Sequence, residues 1–239
     1  MDYSYIFRSA VPDYAKFASF GFEKRGDAYI CKKSLPETGF YVKLLVKDEK
    51  FTAEVYESAD DFPDSKFALF DVKSANGSFV SQIRSQVQGI VDDFRQACFD
   101  ISDLHEKYIH FLESEFNCKP DFPWAAPKKP GEAQSSFKSG RYDDAAVFRC
   151  PNQKWFALVM NITYKNLGFE NDENVFVVNL KADKEHINEF IDKKSIFPAY
   201  HMNKKYWITV LLTSVTDFDR LCSLTKRSFE LVNGKGRST

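Results

Sequence analysis

Residues 197–212, FPAYHMNKKYWITVLL, gather the side chains best suited to chemistry: His201, Asn203, Lys204 and Lys205, framed by Tyr200 and Trp207. Lysines pair with phosphates, histidine and asparagine donate hydrogen bonds to phosphates or base edges, and aromatic faces accept unstacked bases. The same residues also describe a purely structural connection. In that version Tyr200 and Trp207 are core anchors, and His201 and Asn203 bond backbone groups of their own turn. Around this stretch lie Lys193, Lys194, Arg220, Lys226 and Arg227, so residues 193–227 hold seven basic groups against Asp217 and Asp219. Such a surplus attracts an anion if the side chains converge on one face, and is a solvated surface if they do not. Lys154, in a second turn, joins the candidate set.

Other chemistries have less to stand on. The chain holds no G-x-S-x-G elbow, P-loop, H-E-x-x-H or dinucleotide glycine fingerprint. His105, His110, His186 and His201 show no ligand spacing with cysteines. Asp143-Asp144 precedes a strand and reads as a turn rather than an acid/base pair. We therefore expect a non-enzymatic protein with no catalytic residues, no metal site, no cofactor and no small-molecule substrate.

The elements that must position these groups follow from pattern. The 239 residues, 44% hydrophobic and 28% charged, suffice for one large or two small domains with a buried core. Net charge is −1, divided as 13 basic against 16 acidic groups before residue 101 and 20 against 18 after it. Five scattered cysteines without a C-x-x-C pair suit a reducing compartment. MDYSYIFRSAVPDY lacks the basic and apolar regions of a signal peptide, and no apolar run is long enough for a membrane span. The expectation is a cytoplasmic protein with no membrane partner.

Pro12-Asp13 opens a short helix ending at Gly21. Ala28–Lys33, Phe40–Val46, Phe51–Val55 and Phe67–Val72 read as strands, the middle two joined by the charged turn Lys47–Lys50. Ser78 is a plausible N-cap for a long helix whose stripe is Val80, Ile83, Val87, Ile90, Val91, Phe94 and Cys98. A further helix after Ser102 carries Leu104, Tyr108, Phe111, Leu112 and Phe116. Residues 118–141, with Pro120, Pro123, Pro127 and Pro130, form a long loop. Ala145–Cys150 and Lys154–Ile162 make a hairpin. Val175–Leu180 is a strand, Asp183 caps a short helix, Trp207–Leu212 is the last strand, and Ser214 or Thr216 caps the final helix. The whole is α+β in two domains, 1–101 and 102–239, each an antiparallel sheet packed on helices.

The second half resembles the MmcQ/YjbR family, whose fold is that of CyaY and frataxin-like proteins. The resemblance rests on Asn152–Leu158 (NQKWFAL), on Phe197–Trp207 (FPAYHMNKKYW) and on Ser214-Val215 before a final helix. The first half looks like the companion domain of longer members, through Phe20-Gly21-Phe22 and Gly77–Val80. Family members are described as DNA-binding, through two projecting hairpins. Carried onto this chain, the resemblance implies that DNA meets the hairpin near Asn152–Lys154 and the His201–Lys205 turn. With the charge pattern, the expected contacts are Lys154, Lys193, Lys194, His201, Asn203, Lys204, Lys205, Lys226 and Arg227. The alternative is a protein-interaction module, with the Tyr- and Lys-bearing strand face of the first domain as contact. A third possibility is the frataxin-like one, iron held by Asp103, Glu106, Glu113 and Glu115 on the helix after Ser102.

Overall fold

The computed structural model describes residues 1–58, 65–124, 145–169 and 172–234. They form two compact units, Met1–Ile101 and Ser102–Thr239. Most of the 118–141 loop, and Asp143-Asp144, lie outside the described residues.

The first unit runs α1 (Tyr5–Ser9), β1 (Val11–Pro12), α2 (Phe17–Phe20), β2 (Glu23–Arg25), β3 (Ala28–Leu35), β4 (Phe40–Lys47), β5 (Lys50–Glu57), α3 (Ser78–Cys98) and β6 (Phe99–Asp100). Strands β2 to β5 form an antiparallel meander in chain order, and β1 pairs with β6. Period-2 alternation turns Val42, Leu44, Val46, Phe51, Ala53 and Val55 to one face, where they are fully or almost fully buried. Helix α3 covers that face with Val80, Ile83, Val87, Val91, Phe94 and Cys98. The β4–β5 turn is two residues long, with Asp48 and Glu49 both left-handed (φ 51° and 60°).

Three local expectations are corrected here. Gly77, not Ser78, caps α3, and Ser78 is the first helical residue. Residues 67–72 are not a strand. Lys66 makes a single bridge to Tyr56, then Ala68–Phe70 coil into a 3₁₀ turn, and the Arg84 guanidinium ties down the Leu69, Phe70 and Val72 carbonyls. Pro12 belongs to β1, and the helix it was expected to open starts as a 3₁₀ turn at Tyr14.

The second unit runs α4 (His105–Phe116), β7 (Ala146–Arg149), β8 (Trp155–Thr163), β9 (Asn174–Lys181), α5 (Ile187–Phe190), β10 (Ile196–Pro198), β11 (Trp207–Leu211) and α6 (Phe218–Asn233). Its sheet is antiparallel, in the order β10-β11-β9-β8-β7. Both faces are apolar. One carries Phe148, Val159, Val178, Ile208 and Val210 under α4 and α6. The other carries Leu158, Met160, Val177 and Leu211 under Tyr164, Phe169, Tyr200 and Met202. A buried hydrogen bond between the Tyr108 and Thr225 hydroxyls (2.9 Å) joins the two helices. Asp217, not Ser214 or Thr216, caps α6, accepting from the Arg220 N–H. Asp183 does not cap α5; its carboxylate is engaged by Arg227.

Candidate nucleic-acid interface

Strand register decides which candidate residues meet. Ala157, near the start of β8, pairs with Leu180 near the end of β9, and the next residue, Lys181, pairs with Trp207 at the start of β11. The hairpin 150–154 and the connection 199–206 therefore lie at the same end of the sheet, with the exit of β9 between them. At ~4.8 Å per strand, the two hairpins are roughly 14 Å apart, centre to centre. Lys154, His201, Asn203, Lys204 and Lys205 are all exposed at this end.

Lys193 and Lys194 are elsewhere. Strand β10 starts opposite Val210, and Ser195 accepts from the Leu211 N–H, so the two lysines flank the far end of β11. The length of that strand, roughly 15 Å at ~3.3 Å per residue, separates them from the His201–Lys205 turn. They belong to a loop built around Asp192. Burial works against ionisation of that carboxylate. The N–H groups of Ile196, Lys194 and Ser195 and the Ser195 hydroxyl, each 2.8 Å away, outweigh it and hold the pKa below the usual range. Arg220 lies against the same carboxylate at 3.6 Å.

Lys226 and Arg227 are answered by carboxylates. Lys226 pairs with Glu115 of α4 at 2.7 Å, and Arg227 pairs with Asp183 at 3.0 Å and Glu230 at 3.4 Å. The nine expected contacts thus do not form one patch. By contrast, no ion pair of Lys154, Lys204 or Lys205 is found among the described residues.

The two loops at the shared end are stiffly held. Asn152 accepts from the Lys154 N–H (3.0 Å) and donates to the Val232 carbonyl of α6 (3.0 Å), pinning the hairpin tip to that helix. Arg149 grips Asp121 through Nε and Nη2 and the Gln153 carbonyl through Nη1, with Trp155 5.6 Å below its guanidinium. In the other loop, Asn203 accepts from the Lys205 N–H, so its side-chain oxygen serves the turn. The anchor of this loop is absent from the sequence-based set. Thr209 and Asn179, neighbours on β11 and β9 and both fully buried, bond each other and clamp Tyr200, whose N–H donates to Thr209 Oγ1 and whose carbonyl accepts from Asn179 Nδ2, each at 2.8 Å. The connection therefore folds back over the apolar face, with Tyr200 and Met202 packed on it. His201 follows in left-handed conformation (φ 54°) with its ring edge-on to Tyr200. A lone asparagine inside the β-branched run VFVVNLK was the available signal for this clamp.

The acidic helix is used structurally. Asp103 accepts from the His105 N–H at the start of α4, and Glu115 holds Lys226. Among the described residues, no three His, Cys, Asp or Glu side chains gather as a metal site would require. None of the five cysteines is in a disulfide, and burial pushes the Cys118 and Cys150 thiols up to about 11. No helix among the described residues is long and apolar enough to cross a membrane. His105 is buried and stacked 3.8 Å from Phe176. Burial lowers its pKa, against weaker opposing pulls from Asp103 and Glu106. The unfolded chain therefore takes up this proton first. Stability should be fully present above the unfolded value of ~6.5 and fall as pH drops through the lower folded value. Urea melts between pH 7.5 and 5.5 should show that fall, and it should shrink in His105→Phe.

Fold and site together define an α+β protein with two structured loops at one end of a fully covered sheet. The YjbR family pattern matches residues 128–231. The uncharacterized protein YyaQ of Bacillus subtilis (strain 168) is 26% identical over 126 residues, which span 53% of this chain and 95% of YyaQ. A crystal structure and a solution NMR structure of a protein from Pseudomonas syringae are 36% and 32% identical. They cover 53% and 56% of this chain and 97% of their own, each with a TM-score of 0.44. The match to the YjbR family falls within the second unit.

Proposed function

We propose that the second unit is a non-enzymatic binding module for the DNA backbone. Lys154, Lys204 and Lys205 pair with phosphates, and His201 and Asn203 lie beside them on the same connection. One observation carries this reading: three exposed ammonium groups outside any described ion pair share one sheet end, on loops fixed by Asn152 and by the Asn179–Thr209 clamp. Lys193, Lys194, Lys226 and Arg227 are left out of the contact set because of where they lie or what they pair with.

Three phosphate contacts imply modest, sequence-independent affinity. The slope of log affinity against log salt should be about −2.7 on duplex DNA, at ~0.9 per phosphate. Lys204→Ala should weaken binding on unrelated duplexes alike and reduce the slope by about one. Lys193→Ala and Lys226→Ala should leave it unchanged. Fluorescence anisotropy over a salt series measures all of these. Affinity indifferent to salt, or equal losses from Lys226→Ala and Lys204→Ala, would sink the proposal. Protein docking would then be the better-supported reading, because Leu69, Val72 and Phe79 of the first unit are 49%, 43% and 42% exposed.

A further inference from the structure

Two asparagines in this chain are followed by glycine, Asn76 and Asn233, and the fold treats them in opposite ways. An asparagine side chain can close on the backbone nitrogen of the next residue if that nitrogen is unengaged and its approach is uncrowded. Glycine has no Cβ and removes the crowding. Hydrogen bonding decides the rest. Asn233 is the last residue of α6, and the Gly234 N–H donates to the Glu230 carbonyl in the left-handed turn that ends the helix (φ 84°). That nitrogen is engaged, so the end of α6 must open before the Asn233 side chain can use it.

Asn76 lies in neither helix nor strand, and both it and Gly77 are exposed. Among the described residues, neither the Asn76 side-chain amide nor the Gly77 N–H is hydrogen-bonded. Among the same residues, chain neighbours aside, no atom comes within 4 Å of where a side chain on Gly77 would begin. The chain is anchored on either side of the pair. Arg84 Nη1 holds the Ala75 carbonyl at 2.9 Å, and α3 begins at Ser78. Asn76-Gly77 is therefore a short, open link between two fixed pieces.

We propose that Asn76-Gly77 is a site of spontaneous deamidation in the folded protein. The Gly77 nitrogen attacks Asn76 Cγ and a new C–N bond forms. The bond from Cγ to Nδ2 breaks, and ammonia leaves with the proton of the glycine nitrogen. Water then opens the cyclic imide at either carbonyl, giving aspartate or isoaspartate. Both products place a negative charge one residue before the Gly77 cap of α3. That helix has no acidic residue in its first turn and no side-chain cap, so its unpaired N–H groups favour the charge. Isoaspartate also inserts a methylene into the backbone and is a substrate for carboxyl methylation. The test incubates the full chain in mildly alkaline buffer, digests it with trypsin and follows the peptides Ser74–Arg84 and Ser228–Lys235 by mass spectrometry. The first should gain the mass of amide-to-acid conversion and split into two chromatographic species, one of which accepts a methyl group from protein isoaspartyl methyltransferase. The second should convert slower by about tenfold or more, and the two rates should converge in urea. Gly77→Ala, which the ordinary φ of −70° accommodates, should suppress conversion of the first peptide. The proposal is overturned if Ser74–Arg84 keeps its amide in the folded chain and loses it in urea, if both peptides convert alike in the folded chain, or if Gly77→Ala converts like wild type. Should Gly77→Ala lose its far-ultraviolet circular dichroism, the ratio of the two peptides in the unaltered chain alone decides.

Discussion

Phe94→Ala is expected to destabilise the first unit by about 3–5 kcal/mol, the range for emptying a buried phenylalanine site. Phe94 is fully buried, and its ring lies 4.7 Å from Phe22, 5.0 Å from Phe17, 5.1 Å from Phe51, 5.2 Å from Phe20 and 5.3 Å from Phe99, centroid to centroid. These partners come from α2, the chain just after it, β5 and β6, so one truncation loosens four separate segments. Aromatic pairs contribute beyond their buried area, and rigid neighbours on helix and sheet cannot collapse fully into the cavity. For a unit of this size the loss corresponds to roughly 12 °C or more in melting temperature. Calorimetry checks the shift, and hydrogen exchange along α3 checks its location. Phe94→Leu, which fills much of the volume, should lose well under half as much. A shift below 1 °C for Phe94→Ala would show that the ring cluster is not what holds α3 on the sheet.

The position of Phe94 was legible because a helix reports its buried face locally. Val80, Ile83, Val87, Val91, Phe94 and Cys98 recur at the spacing of one stripe, and nothing outside α3 is needed to see it. The β4–β5 and β7–β8 hairpins were legible for the same reason, with alternation and turn lying within a few residues. Caps were less legible. Serines and threonines are plentiful near helix starts, and which one takes the N–H depends on backbone angles that spacing does not encode. Gly77 and Asp217 accordingly stand where Ser78, Ser214 and Thr216 were expected. Residues 67–72 are apolar enough to read as a strand, yet the Arg84 fork bends that backbone from α3.

The charge pattern misled for a related reason. Within residues 193–227, basic groups outnumber acidic ones by five. The carboxylates that answer them lie outside that window: Glu115 and Asp183 far along the chain, Asp192 one residue before it, Glu230 three residues after it. Net charge in a window measures composition, whereas a phosphate responds to charge at a surface. Direction along a strand matters equally. Lys193 and Lys204 are close in sequence, but β10 and the following connection carry them to opposite ends of β11. What survives as a candidate interface is the part set by hairpin geometry, the tips before β8 and β11, and not the part set by counting.

Asn179→Ala is the second substitution expected to act strongly, at about 2–4 kcal/mol, because it orphans two buried groups at ~1–3 kcal/mol each. The Tyr200 carbonyl loses its donor and the Thr209 hydroxyl loses its acceptor. Thr209→Val should cost a similar amount by stranding the Tyr200 N–H. The double variant separates two kinds of buried polar pair. Had Asn179 and Thr209 bonded only each other, replacing both by apolar residues of like shape would be nearly neutral. Here both backbone groups of Tyr200 remain over an apolar face after the double replacement, so N179L/T209V should stay destabilised and not recover. All three tryptophans, Trp124, Trp155 and Trp207, lie in the second unit, so indole fluorescence during urea unfolding follows the affected sheet. Amide exchange at Tyr200–Lys205 should quicken before global unfolding, and duplex affinity should fall although no lysine has changed. A fully recovered double variant would mean that the Tyr200 backbone finds other partners. The basic turn would then owe its position to the packing of Tyr200 and Met202 alone.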